Sequence, residues 1–328
     1  MGPRASAVEN MFGIRPTRST GFTALAPERK SSRRPTLRST ARDAAVDTGK
    51  ARLRNGPAGS VPNLVAPLNC PLAVLRPVCT FVFAWQVFEG VPLVVAANRD
   101  ERLGRESLPP KELDTEPRVI APQDAEAEGT WIGYNDSGML VSVTNRWTDR
   151  ELAGERSRGL LVREALAHET AEKAISFVEA QTGEYEYDGF HLVAIDAERA
   201  TLCAWDGELS ITDFEPGVHI AVNVGADDSF EIPRSRPDPG REQARRTERA
   251  FADLQPESDE GVEGWLDRTT VALRDHEYGF CVHGDGFGTR SSSLVTLFED
   301  GSAEYRFANG PPCETAYEPV ELDDDTLA

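Results

Sequence analysis

Two short stretches carry residue types able to do covalent chemistry: Cys79, and the tetrapeptide Asn98-Arg99-Asp100-Glu101. A cysteine thiol, of reference pKa about 8.5, is a good nucleophile once deprotonated, and an α-amine of reference pKa about 7.7–8.0 is a general base suited to neutral pH. A cysteine that is the first residue of its mature chain supplies both groups. Arg99 and Asp100 could then hold the thiolate and the amine through charge-assisted hydrogen bonds, Arg99 favouring the thiolate. A plainer reading stands beside this one. A cysteine at a strand start is commonly a small buried hydrophobe, and four polar residues after Val94-Val95-Ala96-Ala97 describe a solvated strand end.

The elements that must bring the two stretches together are legible as patterns. Residues 80–88 and 91–98 form near-continuous apolar runs about a Glu89-Gly90 turn, which predicts an antiparallel hairpin buried on both faces. The start of the first strand then lies beside the end of the second. After a Pro-rich loop around Pro109, Pro110 and Pro117, residues 130–134 and 139–145 flank the turn Asn135-Asp136-Ser137-Gly138 as a second hairpin. Residues 157–180 carry helical spacing, broken at His168-Glu169-Thr170 into two amphipathic helices. Strands are expected at 190–195, 201–205, 209–212 and 219–224, helices at 241–254 and 260–274, and a closing hairpin at 294–299 and 303–308 about Asp300-Gly301.

Hairpin runs alternating with helix pairs predict an α+β fold: a four-layer αββα sandwich of two stacked antiparallel sheets flanked by helix pairs. Strand and helix never alternate singly, so a doubly wound parallel sheet is disfavoured. The run Gly284-Asp285-Gly286-Phe287-Gly288 has no preceding strand and following helix, so it reads as a strand-entry loop and not as a nucleotide cradle.

Seven segments occur in an order that resembles the NRDE family, also called the transport and Golgi organisation protein 2 family. They are Cys79-Thr80-Phe81, Asn98-Arg99-Asp100-Glu101, Gly129-Thr130-Trp131-Ile132-Gly133, Thr144-Asn145, Ser157-Arg158-Gly159, Gly189-Phe190-His191-Leu192 and Gly288-Thr289-Arg290-Ser291-Ser292-Ser293. The resemblance spans about residues 79 to 310. It implies a fold similar to the N-terminal nucleophile hydrolases, especially their cysteine branch, which contains bile salt hydrolase and acyl-transferring penicillin enzymes. Carried over residue by residue, Cys79 resembles the nucleophile, Asn145 the asparagine that helps bind the oxyanion, Asn223 the second asparagine, and Arg290 a late arginine of the branch. The early arginine and aspartate depart from the pattern: Arg99 and Asp100 are adjacent, where the cysteine hydrolases space them two apart. The implied activity is hydrolysis of a linear, non-peptide amide bond in a small molecule, with no cofactor. The alternative implied by the family is a non-catalytic carrier of haem or an acyl lipid, with His283 and Cys281 as conceivable axial ligands.

Charge divides the chain. Residues 1–78 hold 13 Lys and Arg against 4 Asp and Glu, whereas residues 79–328 hold 22 against 51, giving the overall −20. The acidic part has only two lysines, Lys111 and Lys173, a composition expected of a high-salt, halophilic-type cytoplasm, with an ordinary acidic soluble protein as the plainer reading. Without a basic face it is not a nucleic-acid binder. No apolar run is long enough for a membrane span. Five cysteines without C-x-x-C spacing and five scattered histidines give no metal motif, so no metal is expected. Residues 1–78 read as a disordered basic leader before one domain at 79–328 with a short acidic tail. That leader could be a targeting segment or a self-cleaved one, or Val78 could be the true start, since a GTG codon encodes methionine at initiation and its removal would free the amine of Cys79.

Overall fold

In β1 (Thr80–Phe88) alternate side chains serve two different cores. Phe81, Phe83 and Trp85 enter one apolar cluster and Val82 and Ala84 another, so a strand without polar alternation is one covered on both faces. β2 (Val91–Arg102) repeats the division, with Leu93, Val95 and Ala97 on one side and Val94 and Ala96 on the other. The computed structural model describes residues 79–113 and 115–321. The basic leader, Val78 and the end of the acidic tail lie outside these.

The chain continues through β3 (Ser107–Leu113), β4 (Val119–Asp124), β5 (Ile132–Asn135), β6 (Leu140–Asn145), α1 (Arg158–Ala165), α2 (Ala171–Glu184), β7 (Phe190–Ile195), β8 (Ala200–Trp205) and β9 (Leu209–Asp213). Then follow β10 (Gly217–Val222), β11 (Gly225–Ala226), β12 (Ser229–Phe230), α3 (Pro237–Asp253), α4 (Val262–Arg274), β13 (Phe287–Leu297), β14 (Ala303–Ala308) and β15 (Glu318–Pro319). One sheet has the order β12-β11-β10-β1-β2-β13-β14-β15 and the other β3-β4-β5-β6-β7-β8-β9, all neighbours being antiparallel.

The first apolar cluster lies between the sheets, joining Phe81, Phe83 and Val95 to Ile132, Leu140, Val193 and Ile195. A second packs α1 and α2 on the outer face of the seven-stranded sheet, through Leu161, Val162, Ile175 and Val178. The third packs α3 and α4 on the outer face of the eight-stranded sheet around Trp265. The architecture is therefore the four-layer α+β sandwich expected from the order of elements. The break expected at His168-Glu169-Thr170 follows local chemistry, Thr170 capping the start of α2 by accepting from Lys173 N, and Ser157 caps α1 by accepting from Gly159 N.

Three expectations are corrected. The Pro-rich loop is an edge hairpin, β3 and β4. Pro109 and Pro110 fall where the β3–β4 register shifts between Leu108 and Lys111, so their missing N–H groups break no ladder. The helix expected at 241–254 begins earlier, at Pro237, after the short strands β11 and β12. The last hairpin begins at Phe287 and not at 294, because β13 pairs with β2 from Leu93 to Arg102.

Candidate functional site

The same long pairing changes the reading of residues 98–101. β2 continues to Arg102 because β13 covers it, with Ser292 opposite Asn98, Ser291 opposite Arg99 and Thr289 opposite Asp100. Asn98, Arg99 and Asp100 are at most 6% exposed, so this is not a solvated strand end. Thr80 pairs with Asn98 on the other side, which brings the half-buried Cys79 next to Arg99 and Asp100. Its Sγ lies 3.8 Å from the backbone oxygen of Asp100.

Each polar side chain here has a distinct task. Asn98 Nδ2 donates to Leu273 O (2.9 Å) and Phe280 O (2.8 Å), tying the end of α4 to the sheet. Arg99 Nη2 donates to Asp124 Oδ2 at 2.9 Å, while its guanidinium stacks 4.2 Å from the centroid of the Trp131 ring. Arg99 Nη1 is buried with no hydrogen-bond partner among the described residues. Asp124 also accepts from Arg105 Nε (2.7 Å) and from the N–H groups of Glu126 and Ala127. Burial alone would raise its pKa, but Arg105, the Ala127 N–H and Arg99 together hold it below the usual carboxylate range. Asp100 accepts from Thr289 Oγ1 (2.5 Å) at Oδ1, whereas Oδ2 is buried without a partner among the described residues. Burial pushes the Asp100 carboxyl well above its ordinary pKa. The Cys79 thiol is pushed up to about 11, chiefly by burial and then by Asp100, against the opposing pull of Arg99. A thiol so placed is neutral at physiological pH and needs a base to become a nucleophile.

Cys79, Arg99, Asp100, Glu101, Thr130, Trp131, Asn145, Ser157 and Arg158 line one cleft of about 290 Å³. Glu101, Asn145 and Arg158 also line an adjoining groove of about 900 Å³. The glycines of the flanking motifs let its wall close up: a Cβ on Gly129 would stand 2.3 Å from the Gly159 carbonyl carbon, and Thr130 N donates to Gly159 O across this contact. Arg158, at the start of α1, donates to Gly189 O at 2.8 Å. Burial lowers its pKa, with Asp188 acting against that.

Four residues expected at the site, Asn98, Asn223, Arg290 and Ser291, stand off the cleft lining. Asn223, just past β10, is fully buried and does not line the cleft. Its Nδ2 donates to Asn145 O (2.7 Å), and its Oδ1 accepts from Gln243. Arg290 sits at the β13 bulge between Thr289 and Ser291, also off the cleft lining, with Nε buried and unpartnered among the described residues. Ser291 is fully buried opposite Arg99. Asp124 and Arg105 were not visible as site residues in the sequence. Asp124 falls within the Pro-rich stretch, and only long-range pairing places it against Arg99.

A family model described as Transport and Golgi organisation 2 matches residues 78–307. The Bos taurus Transport and Golgi organization protein 2 homolog is 25% identical over 238 residues, covering 65% of this chain and 84% of the relative. The Homo sapiens homolog is 24% identical over 246 residues, with the same two coverages. Among solved structures, penicillin V acylase from Agrobacterium tumefaciens aligns with a TM-score of 0.41 and 15% identity, covering 70% of this chain and 82% of that one. The Caenorhabditis elegans N-acylethanolamine-hydrolyzing acid amidase ortholog aligns with a TM-score of 0.44 and 11% identity, over 66% and 92%. No helix among the described residues is long and apolar enough to cross a membrane.

Proposed function

The chain belongs to the Transport and Golgi organisation 2 family, and from that premise we propose that it is a cysteine N-terminal nucleophile hydrolase acting on a linear amide bond of a small molecule. One observation carries the reading: Cys79 opens into a cleft beside a buried carboxylate oxygen, Asp100 Oδ2, and a buried guanidinium nitrogen, Arg99 Nη1, neither of which has a partner among the described residues. Buried polar atoms without partners are costly, and such atoms concentrate where a ligand or a charged group completes them. An N–H of a liberated Cys79 α-amine is the donor that Asp100 lacks, and the ammonium formed when that amine takes a proton pairs with the carboxylate. A substrate carbonyl or carboxylate is the acceptor that Arg99 lacks.

In this reading the free amine of Cys79 takes the thiol proton and the thiolate attacks the amide carbon. The oxyanion is met by Asn145, and the ammonium returns its proton to the leaving nitrogen as the C–N bond breaks. Water, deprotonated by the same amine, then attacks the thioester, releasing the acid and restoring the thiol. The family match beginning at residue 78 supports Cys79 as the start of the working domain.

Intact mass and N-terminal sequencing of natively expressed protein, before and after exposure to a panel of amides, test this. The expected result is a chain beginning at Cys79 that gains an acyl mass absent from Cys79→Ala. A mature chain that keeps residues before Cys79 would refute the mechanism.

A second reading is favoured by a separate cavity of about 750 Å³, walled by Trp147, Pro237, Tyr278 and Phe280 with Arg246 at its side. Apolar walls beside a guanidinium suit an amphiphile, so the chain could carry an acyl lipid or haem instead of cleaving a substrate. A carrier keeps full ligand binding in Cys79→Ala and never forms an acyl adduct.

A further inference from the structure

The five histidines and five cysteines show no metal spacing along the chain, yet the fold gathers four of them. His276, Cys281 and His283 belong to the loop between α4 and β13, and Cys313 follows β14. One donor atom from each lies within 4.8 Å of the others. Cys281 Sγ is 3.4 Å from Cys313 Sγ and 3.7 Å from His283 Nε2, and His283 Nε2 is 3.0 Å from Cys313 Sγ. The edges of a tetrahedral site built on Zn–S of about 2.3 Å and Zn–N of about 2.0–2.1 Å are roughly 3.3–3.8 Å, so the two Cys281 separations fall within the range and the His283–Cys313 one is slightly short of it. The two sulfurs are too far apart for a disulfide, whose S–S bond is about 2.05 Å. His276 Nδ1 donates to Cys281 O at 2.9 Å, because a carbonyl can only accept. That bond fixes the tautomer and leaves Nε2 as the ligating nitrogen, as outer hydrogen bonds do around metal-bound histidines.

We propose that His276, Cys281, His283 and Cys313 bind a single tetrahedral zinc-class ion. Two thiols and two neutral imidazoles exchange two protons for one divalent cation, giving a neutral closed site with no open position, which makes it structural. Its position gives it a definite role. Val282, between two of the ligands, donates to Thr289 Oγ1 (2.9 Å) and accepts from Thr289 N (2.8 Å), and Thr289 Oγ1 in turn donates to Asp100 Oδ1. The ion would fix the loop that holds Thr289 on Asp100.

The test uses full-length protein, reduced, stripped with chelator and titrated anaerobically with cobalt(II). The expected result is saturation at one equivalent, with the visible bands of tetrahedral cobalt and thiolate-to-cobalt charge transfer, both displaced by zinc. The double variant Cys281→Ser/Cys313→Ser should lose the charge-transfer band and at least roughly 10²-fold in affinity, since even outer-shell changes cost 10–100-fold. Should that variant misfold, thiol alkylation of the unmutated protein decides the matter: zinc should shield Cys281 and Cys313 from the alkylation they undergo in the metal-free protein. Absence of cobalt bands in the folded, reduced protein would overturn the proposal, as would equal alkylation with and without zinc or a Cys281–Cys313 disulfide formed in the zinc-loaded protein.

Discussion

Asn223 Nδ2 donates to the backbone carbonyl of Asn145 at 2.7 Å, and Trp147 N donates back to Asn223 O at 2.9 Å. These bonds clamp the end of β6, in one sheet, to the residue after β10, in the other. The two asparagines are therefore not equivalent. Asn145 faces the cleft, whereas Asn223 holds Asn145 in place. Asn145→Ala should lower the rate of Cys79 acylation by about 10²–10³, the cost of one oxyanion donor. Asn223→Asp, which keeps the size and loses the donor, should lower it by up to about 10² through misplacement. Single-turnover acylation followed by intact mass separates them, and an Asn223→Asp variant acylating at the full rate would remove its positioning role.

Layers, sheet pairing of β1 with β2, and the helix pairs were legible because buried faces leave continuous apolar runs and caps leave Ser157 and Thr170. Cys79, Asn98 and Arg99 were legible as neighbours because one hairpin brings them together. Asp124, Thr289 and Cys313 were not: each reaches its partner through pairing between distant strands or loops, for which local sequence holds no period. Asn223 and Arg290 rest on motif resemblance alone, which does not show which way a side chain turns.

Asp124 is the hinge of the charged wall. It neutralises Arg99 and Arg105 and accepts two N–H groups of its own turn. Asp124→Ala leaves the buried Arg99 guanidinium with only its longer ion pair to Glu101 (3.9 Å) and should cost up to about 3–5 kcal/mol, the range for breaking one partner of a buried pair. Arg99→Lys should cost less, since Arg105 still pairs Asp124, but it loses the planar stack on Trp131. Urea denaturation midpoints rank the two variants, and an Asp124→Ala protein as stable as the parent would show the network to be decorative.

Asp100 links stability to the state of Cys79. Its folded pKa is raised by burial, so the folded protein holds a proton there that the unfolded chain has lost. Its contribution is therefore full below the ordinary carboxylate pKa and declines as pH rises through the raised one. In a chain whose Cys79 nitrogen is still an amide, Asp100→Asn should match the parent at about pH 4 and exceed it in stability by about pH 8. In a chain beginning at Cys79, the ammonium partner should abolish that advantage. Paired denaturation curves across this range are the measurement, and parallel curves in the unprocessed form would show that the carboxyl carries no strain.

His191 supplies an acid-labile bond between the sheets. From β7 its Nδ1 donates to Val222 O at 2.9 Å in β10, on the other sheet. Burial, then Arg146, lowers its pKa to about 4, opposed by the Val222 bond. The folded state thus resists a proton that the unfolded chain accepts from its ordinary value of about 6.5 downward. Stability from this residue is complete above about pH 6.5 and is lost progressively as pH falls to about 4, amounting to roughly 3 kcal/mol for a shift of this size. His191→Gln should lose a bond worth about 1 kcal/mol at neutral pH, yet show a shallower decline in acid by up to that larger amount. Unfolding free energies of the two proteins at matched pH check this, and equal slopes between about pH 6.5 and 4 would place the acid sensitivity in the carboxylates instead.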